Sequence, residues 1–370
     1  MAAKIDAGFA NDLPALRGVQ AGREYFVTMC PLKIVTNLLK VNEDDISPEL
    51  RAQRVINKSR VPALSQYIVE NRDSYLFSSL TASVDGDAEF TPISKSANGQ
   101  KMGVLRVSME SKWLINDGQH RRAAIDLALK DDPSLGNESI SIVIFIDRGL
   151  KRSQQMFADL NRFAVRPTKS LGILYDHRDP VSKLCQDLTK EVRVFRGKVE
   201  KAKSTISNRS QKLFTLSGIY QATRRLIGIE EGAEVPSEGK ELVVRFWNAV
   251  GKNMPDWINA VKKEVSPKEL RTDYVHAHGI ALQALAIAGA ALIAAHPNDW
   301  EKRLAKIKTI DWARENSELW EGRAMIGGQI NKSLNCQLLT ANVIKKHLKL
   351  PLNSREQEAE DKYAKGKGKK

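Results

Sequence analysis

Ile115-Asn116-Asp117-Gly118-Gln119-His120-Arg121-Arg122-Ala123-Ala124 is the stretch on which the reading of this chain turns. A hydrophobic run, Trp113-Leu114-Ile115, stops at an Asn-Asp-Gly turn, and a helix-like run over 121–130 follows at once. That is a strand, a tight turn and a helix start. Asp117 is placed to cap the helix by accepting a backbone N–H. Gly118 tolerates positive φ and lets a ligand approach the backbone. The free N–H groups of a helix start attract negative charge. Gln119, His120, Arg121 and Arg122 add donors, and a guanidinium grips phosphate through two parallel hydrogen bonds. His120 titrates near neutrality. Asp117 through Arg122 are therefore candidates for a phosphate or nucleotide site, with Asp117, His120 and Arg121 as its catalytic candidates. An ordinary turn with a solvated His-Arg pair fits the same letters.

Outward from the turn, the first half alternates strand and helix patterns. Residues 23–29 are aromatic and β-branched and read as a strand. Pro31 then opens a helix with Leu32, Val35, Leu38 and Leu39 on one face. Residues 55–69 give an amphipathic helix in which Pro62 is a potential break, and 75–84 read as a strand. Short strands at 105–107 and 113–115 lead to the turn. The β-branched run 140–146 suits a strand buried on both faces, and a helix over 153–163 follows. From Pro180 onward nearly every periodic segment is helical. The expected organisation is a loosely ordered N-terminus (1–22), an α+β domain (23–175), a mostly helical domain (176–353), and a Lys-rich disordered tail (354–370).

The composition, 42% hydrophobic and 28% charged, is that of a globular protein. Net charge is +14, which favours an anionic partner, with nucleic acid first. Cys30, Cys185 and Cys336 lie far apart without a ligand spacing, which suits a reducing cytoplasm. Cys30, at a strand-to-helix junction, is the one to test for redox chemistry. No signal peptide opens the chain. The longest apolar run, 279–295, is rich in Ala and Gly and reads as a buried helix rather than a membrane span. A cytoplasmic protein with no membrane partner is expected.

The charge is concentrated. Residues 190–225 hold ten Lys or Arg against two Glu, a local net of +8. Arg193, Arg196, Lys198, Lys201, Lys203, Arg209, Lys212, Arg224 and Arg225 are the candidate DNA contacts. If six of them met phosphates, log K would fall with log salt at a slope of about −5. Phe195, Phe214 and Tyr220 lie among them, as base-stacking candidates or as core. Residues 207–228 also allow a helix-turn-helix with an ill-defined turn. His276-Ala277-His278 has a chelating spacing but no third ligand nearby, so no metal site is assigned. No GxxxxGK[ST], GxGxxG or GxSxG motif occurs.

Asp117-Gly118-Gln119-His120-Arg121 spells the motif of the DGQHR-domain proteins, and the chain resembles the DndB family among them. Arg54-Val55-Ile56-Asn57-Lys58-Ser59-Arg60 ahead of Tyr67-Ile68 fits that pattern. So do Tyr75-Leu76-Phe77-Ser78-Ser79-Leu80-Thr81-Ala82-Ser83, Met156-Phe157-Ala158-Asp159-Leu160-Asn161 and Leu213-Phe214-Thr215-Leu216-Ser217. The likeness runs from about residue 23 to 350. DGQHR proteins in turn resemble, more distantly, the ParB and sulfiredoxin group, which implies that type of mixed α/β fold for the first domain, with a related turn at a nucleotide phosphate. The resemblance also implies that Asn161 joins the phosphate site, with Arg166 and Lys169 lining the same cleft.

Two functions follow from the likeness. One is a DNA-binding repressor of a phosphorothioation gene cluster, which would control the level of modification. Its partners are double-stranded DNA at its own promoter and other phosphorothioation proteins. The other is an NTP-hydrolysing or DNA-nicking enzyme working at the DGQHR turn, with ATP and Mg²⁺. A protein-interaction role in the modification complex is a third reading, and homo-oligomerisation stays open.

Overall fold

The computed structural model describes residues 9–39, 58–148, 152–162, 167–207, 209–230 and 232–367. The chain forms two compact units, residues 1–165 and 166–370.

The first unit is built on a mixed seven-stranded sheet. Its elements are β1 (Ala10–Gln20), β2 (Arg23–Pro31), α1 (Leu32–Leu38), α2 (Val61–Glu70), β3 (Leu80–Asp85), β4 (Ala88–Pro92), β5 (Met102–Ser108), β6 (Lys112–Asp117), α3 (Gln119–Asp131), β7 (Ser139–Ile146) and α4 (Ser153–Arg162). The strand order is β4-β5-β1-β2-β7-β3-β6, and only β3 and β7 pair in parallel. Leu13, Phe26, Leu105, Ile115 and Ile142 pack in one core with Val35 of α1, Ile68 of α2 and Ile125 of α3.

Several expectations are corrected here. Residues 10–20 are not loosely ordered: β1 lies inside the sheet between β5 and β2. It turns into β2 through Ala21 and Gly22, both at positive φ (51° and 71°), as a two-residue hairpin requires. Pro14, which cannot donate to a ladder, hides the strand in the sequence. Residues 75–79 precede the strand; pairing starts at Leu80. Pro62 sits in the first turn of α2, where its missing N–H costs nothing, so it starts that helix rather than breaking it. β7 is not buried on both faces: Ile140, Ile142 and Ile144 are buried, while Ser141, Val143 and Phe145 are half-buried.

The second unit is helical. Its longer elements are α5 (Lys169–Tyr175), α6 (Pro180–Glu191), α7 (Leu216–Ile227), α8 (Ser237–Lys252), α9 (Pro255–Lys262), α10 (Pro267–Asp273), α11 (Gly279–Ala295), α12 (Trp300–Leu304), α13 (Ser317–Trp320), α14 (Leu334–His347) and α15 (Ser354–Lys367). α11 is the central helix, packed on α7 and α14. A Cβ on its Gly289 would stand 2.3 Å from the Phe246 ring, so close packing, not lipid, explains its small residues. No helix among the described residues is long and apolar enough to cross a membrane.

The units divide after Val165, ten residues before the expected boundary. α5 belongs to the second unit because its buried Ser170 bonds Ser217, and Thr168 just before it bonds the Ala202 carbonyl at 2.5 Å. The tail is likewise corrected. α15 is held by Arg323 on Glu360 (2.5 and 2.8 Å), by Lys345 on Glu356 (2.5 Å) and by Arg323 over the Tyr363 ring. The calls for residues 1–8 and 368–370 lie outside the described residues.

Candidate functional site

β6 ends at Asp117 and α3 begins at Gln119, so Gly118 alone makes the corner. Its φ is +103°, and a Cβ there would meet Leu80 Cδ2 at 2.4 Å. Both facts make a side chain there strained. Asp117 does not cap α3. Its Oδ2 accepts a hydrogen bond from Arg121 Nη2 at 2.6 Å, and no side chain caps the helix. An i,i+4 pair across the first turn satisfies both charges. Arg121 Nη1 also donates to the Ser78 carbonyl at 3.2 Å. Gln119 Nε2 donates to the Ile115 carbonyl (3.1 Å), and Arg122 Nη2 to that of Thr36 (2.7 Å). Asp117, Gln119, Arg121 and Arg122 thus brace the joint they form.

His120 differs. It is half-buried, and burial, then the nearby Arg60 cation, push its pKa below the usual histidine value. Arg60 is the cap residue of α2, which packs beside α3. Sequence reasoning did not place Arg60 at the site. The signal was the 54–60 segment, whose residues 54–57 lie outside the described ones. A neutral imidazole and a guanidinium at a helix start with no acid in its first turn suit an oxyanion.

Behind the corner stands a polar network that the sequence hid. Asn116 is fully buried; it donates to Ser83 Oγ at 2.7 Å and accepts from Ser153 Oγ at 2.8 Å. It ties β3, β6 and α4 together one residue before the motif. Asn161 is exposed, and its amide donates to the Phe157 carbonyl of its own helix (2.8 Å), which is helix-end capping. Lys169 falls in the other unit, and Arg166 lies outside the described residues. A cavity of about 400 Å³ in the first unit is lined by Met29, Leu32, Arg72, Tyr75, Phe77 and Ile140 among others, and by none of the motif residues. Cys30 is buried with its thiol pushed up to about 11, so thiolate chemistry at neutral pH has no basis there.

The basic segment is not a helical face. Residues 192–198 turn out of α6 into β8 (Val199–Glu200), and β9 (Phe214–Thr215) pairs parallel to β8. Only α7 remains of the helix-turn-helix alternative. Arg193, Arg196, Lys203 and Arg209 are exposed, and Lys198, Lys201 and Lys212 half-buried. None of these is in a salt bridge among the described residues. Arg196 donates to the Lys190 carbonyl and Lys212 to that of Gly197, both at 2.9 Å. Glu200 is spent on the backbone N–H groups of Ala202 and Lys203. Arg224 and Arg225 stand apart in character. Arg224 pairs with Glu230 at 3.1 Å, and Arg225 is buried enough to lower its pKa. Phe195, Phe214 and Tyr220 are core residues, not stacking platforms. His276 and His278 do not converge. His276 bonds Trp257 and Asp256, while His278 bonds the Arg271 carbonyl.

A family model described as "DndB: DNA-sulfur modification-associated" matches residues 13–351. The chain belongs to the DndB family. The match spans the motif, the basic segment and all of α5 to α14, so both candidate surfaces of this DndB-family chain lie inside it. No curated protein and no solved structure matches. The ParB and sulfiredoxin type expected for the first domain is thus not shown; what is shown is a fold of mixed α and β.

Proposed function

We propose that this DndB-family protein binds double-stranded DNA and represses its own DNA sulfur modification genes, so limiting the level of modification. The observation that carries this is the 193–212 segment, whose cations are exposed or half-buried and, among the described residues, in no salt bridge, while Phe195 is turned into the core. Such a surface attracts a phosphate backbone by charge. Sequence preference needs further contacts at base edges. Deleting the gene should raise transcription of the modification cluster and the phosphorothioate content of the DNA. Unchanged transcript levels in the deletion strain would sink the repressor reading.

A second reading has one observation in its favour. His120 and Arg60 stand at a helix start without acidic residues, which suits the phosphates of a nucleotide. ATP would bind there through the α3 amides and Arg60. Asp117 already neutralises Arg121, so it is poorly placed to hold Mg²⁺. Under this reading His120→Ala removes ATP binding and turnover. Equal ATP binding by wild type and variant reduces the motif to a structural corner.

A further inference from the structure

Two groups of cations in the second unit meet at one residue, Arg271 of α10. Its guanidinium is buried and donates to the carbonyls of Lys212 (2.5 Å), Ser210 (2.9 Å) and Ser207 (3.3 Å), which pins these residues of the basic segment. Its own carbonyl accepts from His278 Nε2 at 2.8 Å and from Arg314 Nη1 at 3.2 Å. Arg314 Nη2 donates to the Gly328 carbonyl at 2.8 Å, which ties in the hairpin leading to Lys332. One residue thus joins the 207–212 loop to the 314–332 segment.

Both sides are electropositive. Lys198 feels Lys263 and Lys212, and His278 feels Arg314 and Lys332; in each case the neighbouring cations, after burial, oppose a further positive charge. Lys263 takes a left-handed conformation (φ +67°) at the end of α9 and is exposed. Lys332 is exposed too. Two acids near Lys263 are engaged elsewhere. Glu264 pairs with Lys262 at 3.6 Å, and Glu269 bonds the Ser266 N–H at the α10 cap. Among the described residues neither Arg314 nor Lys332 forms a salt bridge.

We propose that the DNA-contacting surface is a composite organised by Arg271 and Arg314, whose guanidiniums are spent on backbone carbonyls, with Lys198, Lys212 and Lys263 near the loop and Lys332 after the hairpin as its cations, and that it takes the sugar-phosphate backbone of a duplex. This rests on the DNA-binding reading and replaces the linear segment as its footprint: Arg224 and Arg225 drop out, while Lys263 and Lys332, more than 50 residues apart in sequence, come in. A duplex is favoured over a single strand because Phe195, Phe214 and Trp257 behind the surface are buried, and single strands are held largely by exposed aromatic stacking.

The test is a salt series of binding by the full chain to a duplex of fixed sequence and to a single strand of equal length. The variant Lys198→Gln/Lys263→Gln/Lys332→Gln removes three cations that make no structural hydrogen bond among those described. The control Lys302→Gln/Lys306→Gln/Lys308→Gln removes the same charge from an exposed stretch elsewhere in the unit. The first variant should flatten the slope of log K against log salt by about 2.7 if each lysine meets one phosphate, and the control should leave it near the wild-type value. The duplex should bind more tightly than the single strand. Equal slopes for the two variants overturn the composite surface while leaving DNA binding intact. Tighter binding of the single strand overturns the duplex assignment. Failure of the wild-type protein to bind any DNA at low salt removes the parent reading itself.

Discussion

Gly118 is the residue on which the first unit's corner depends. Gly118→Ala must place a Cβ against Leu80 at a φ that L residues avoid. A cost of about 1–3 kcal/mol is expected, measured as a lowered urea midpoint. A variant as stable as wild type would show that the corner relaxes freely. Two titrating residues in the second unit mark separate pH windows. Burial, opposed by the bond to the Arg271 carbonyl and reinforced by Arg314 and Lys332, holds His278 down at about 4. The unfolded imidazole binds its proton near 6.5. His278 therefore contributes stability that is present above 6.5 and is lost as pH falls toward 4. For Glu360, burial alone would raise the pKa, but hydrogen bonds from Arg323 and Lys346 prevail and hold it at about 2 against an ordinary 4.5. Its contribution is present above 4.5 and is lost between there and 2. Urea midpoints followed from pH 8 to 2 should fall in both windows, with His278→Gln blunting the upper fall and Glu360→Gln the lower. A flat profile from pH 7 to 4.5 would contradict the His278 assignment.

At the scale of elements, α15 is the plainest case of structure made by specific charges. A chain ending at residue 353 leaves Lys345 without the Glu356 carboxylate and Arg323 without that of Glu360, all four of them largely buried. Such orphaned charges cost about 3–5 kcal/mol, so thermal unfolding of the truncated chain should begin far lower. An unchanged melting curve would mean that the helix is a passive appendage. In the sequence this segment read as a solvated Lys-rich tail, because composition does not say which carboxylate will find which cation. α3 was legible because its apolar residues recur with the helical period, β7 because its run is β-branched, and α11 because its apolar run is long and rich in small residues. β1 was not, since Pro14 interrupts its alternation and burial selects only Leu13 and Ala15. The motif was visible as a strand, turn and helix start, yet the partners of its side chains were not. That Asp117 turns to Arg121, and that Arg60 stands near His120, depends on how α2 and α3 pack.

At the scale of the whole molecule, the chain carries two separate cores, one on a mixed sheet and one among helices. The DGQHR corner belongs to the first and the basic surface to the second. The charge of +14 points to an anionic partner, and the family match joins the chain to DNA sulfur modification. Charge density along the sequence was a poorer guide to the surface. It counted Arg224, which is spent on Glu230, and did not count Lys263 or Lys332, whose neighbours in the fold, Lys198 and His278, lie far from them in sequence.

Fluorescence anisotropy with DNA from upstream of the protein's own gene cluster, set against scrambled DNA of equal length across a salt series, tests the central claim most directly. The account predicts tighter binding to the upstream DNA at every salt concentration, with both affinities falling steeply as salt rises. Equal affinity for the two sequences would contradict the repressor and leave only a charge-driven DNA surface.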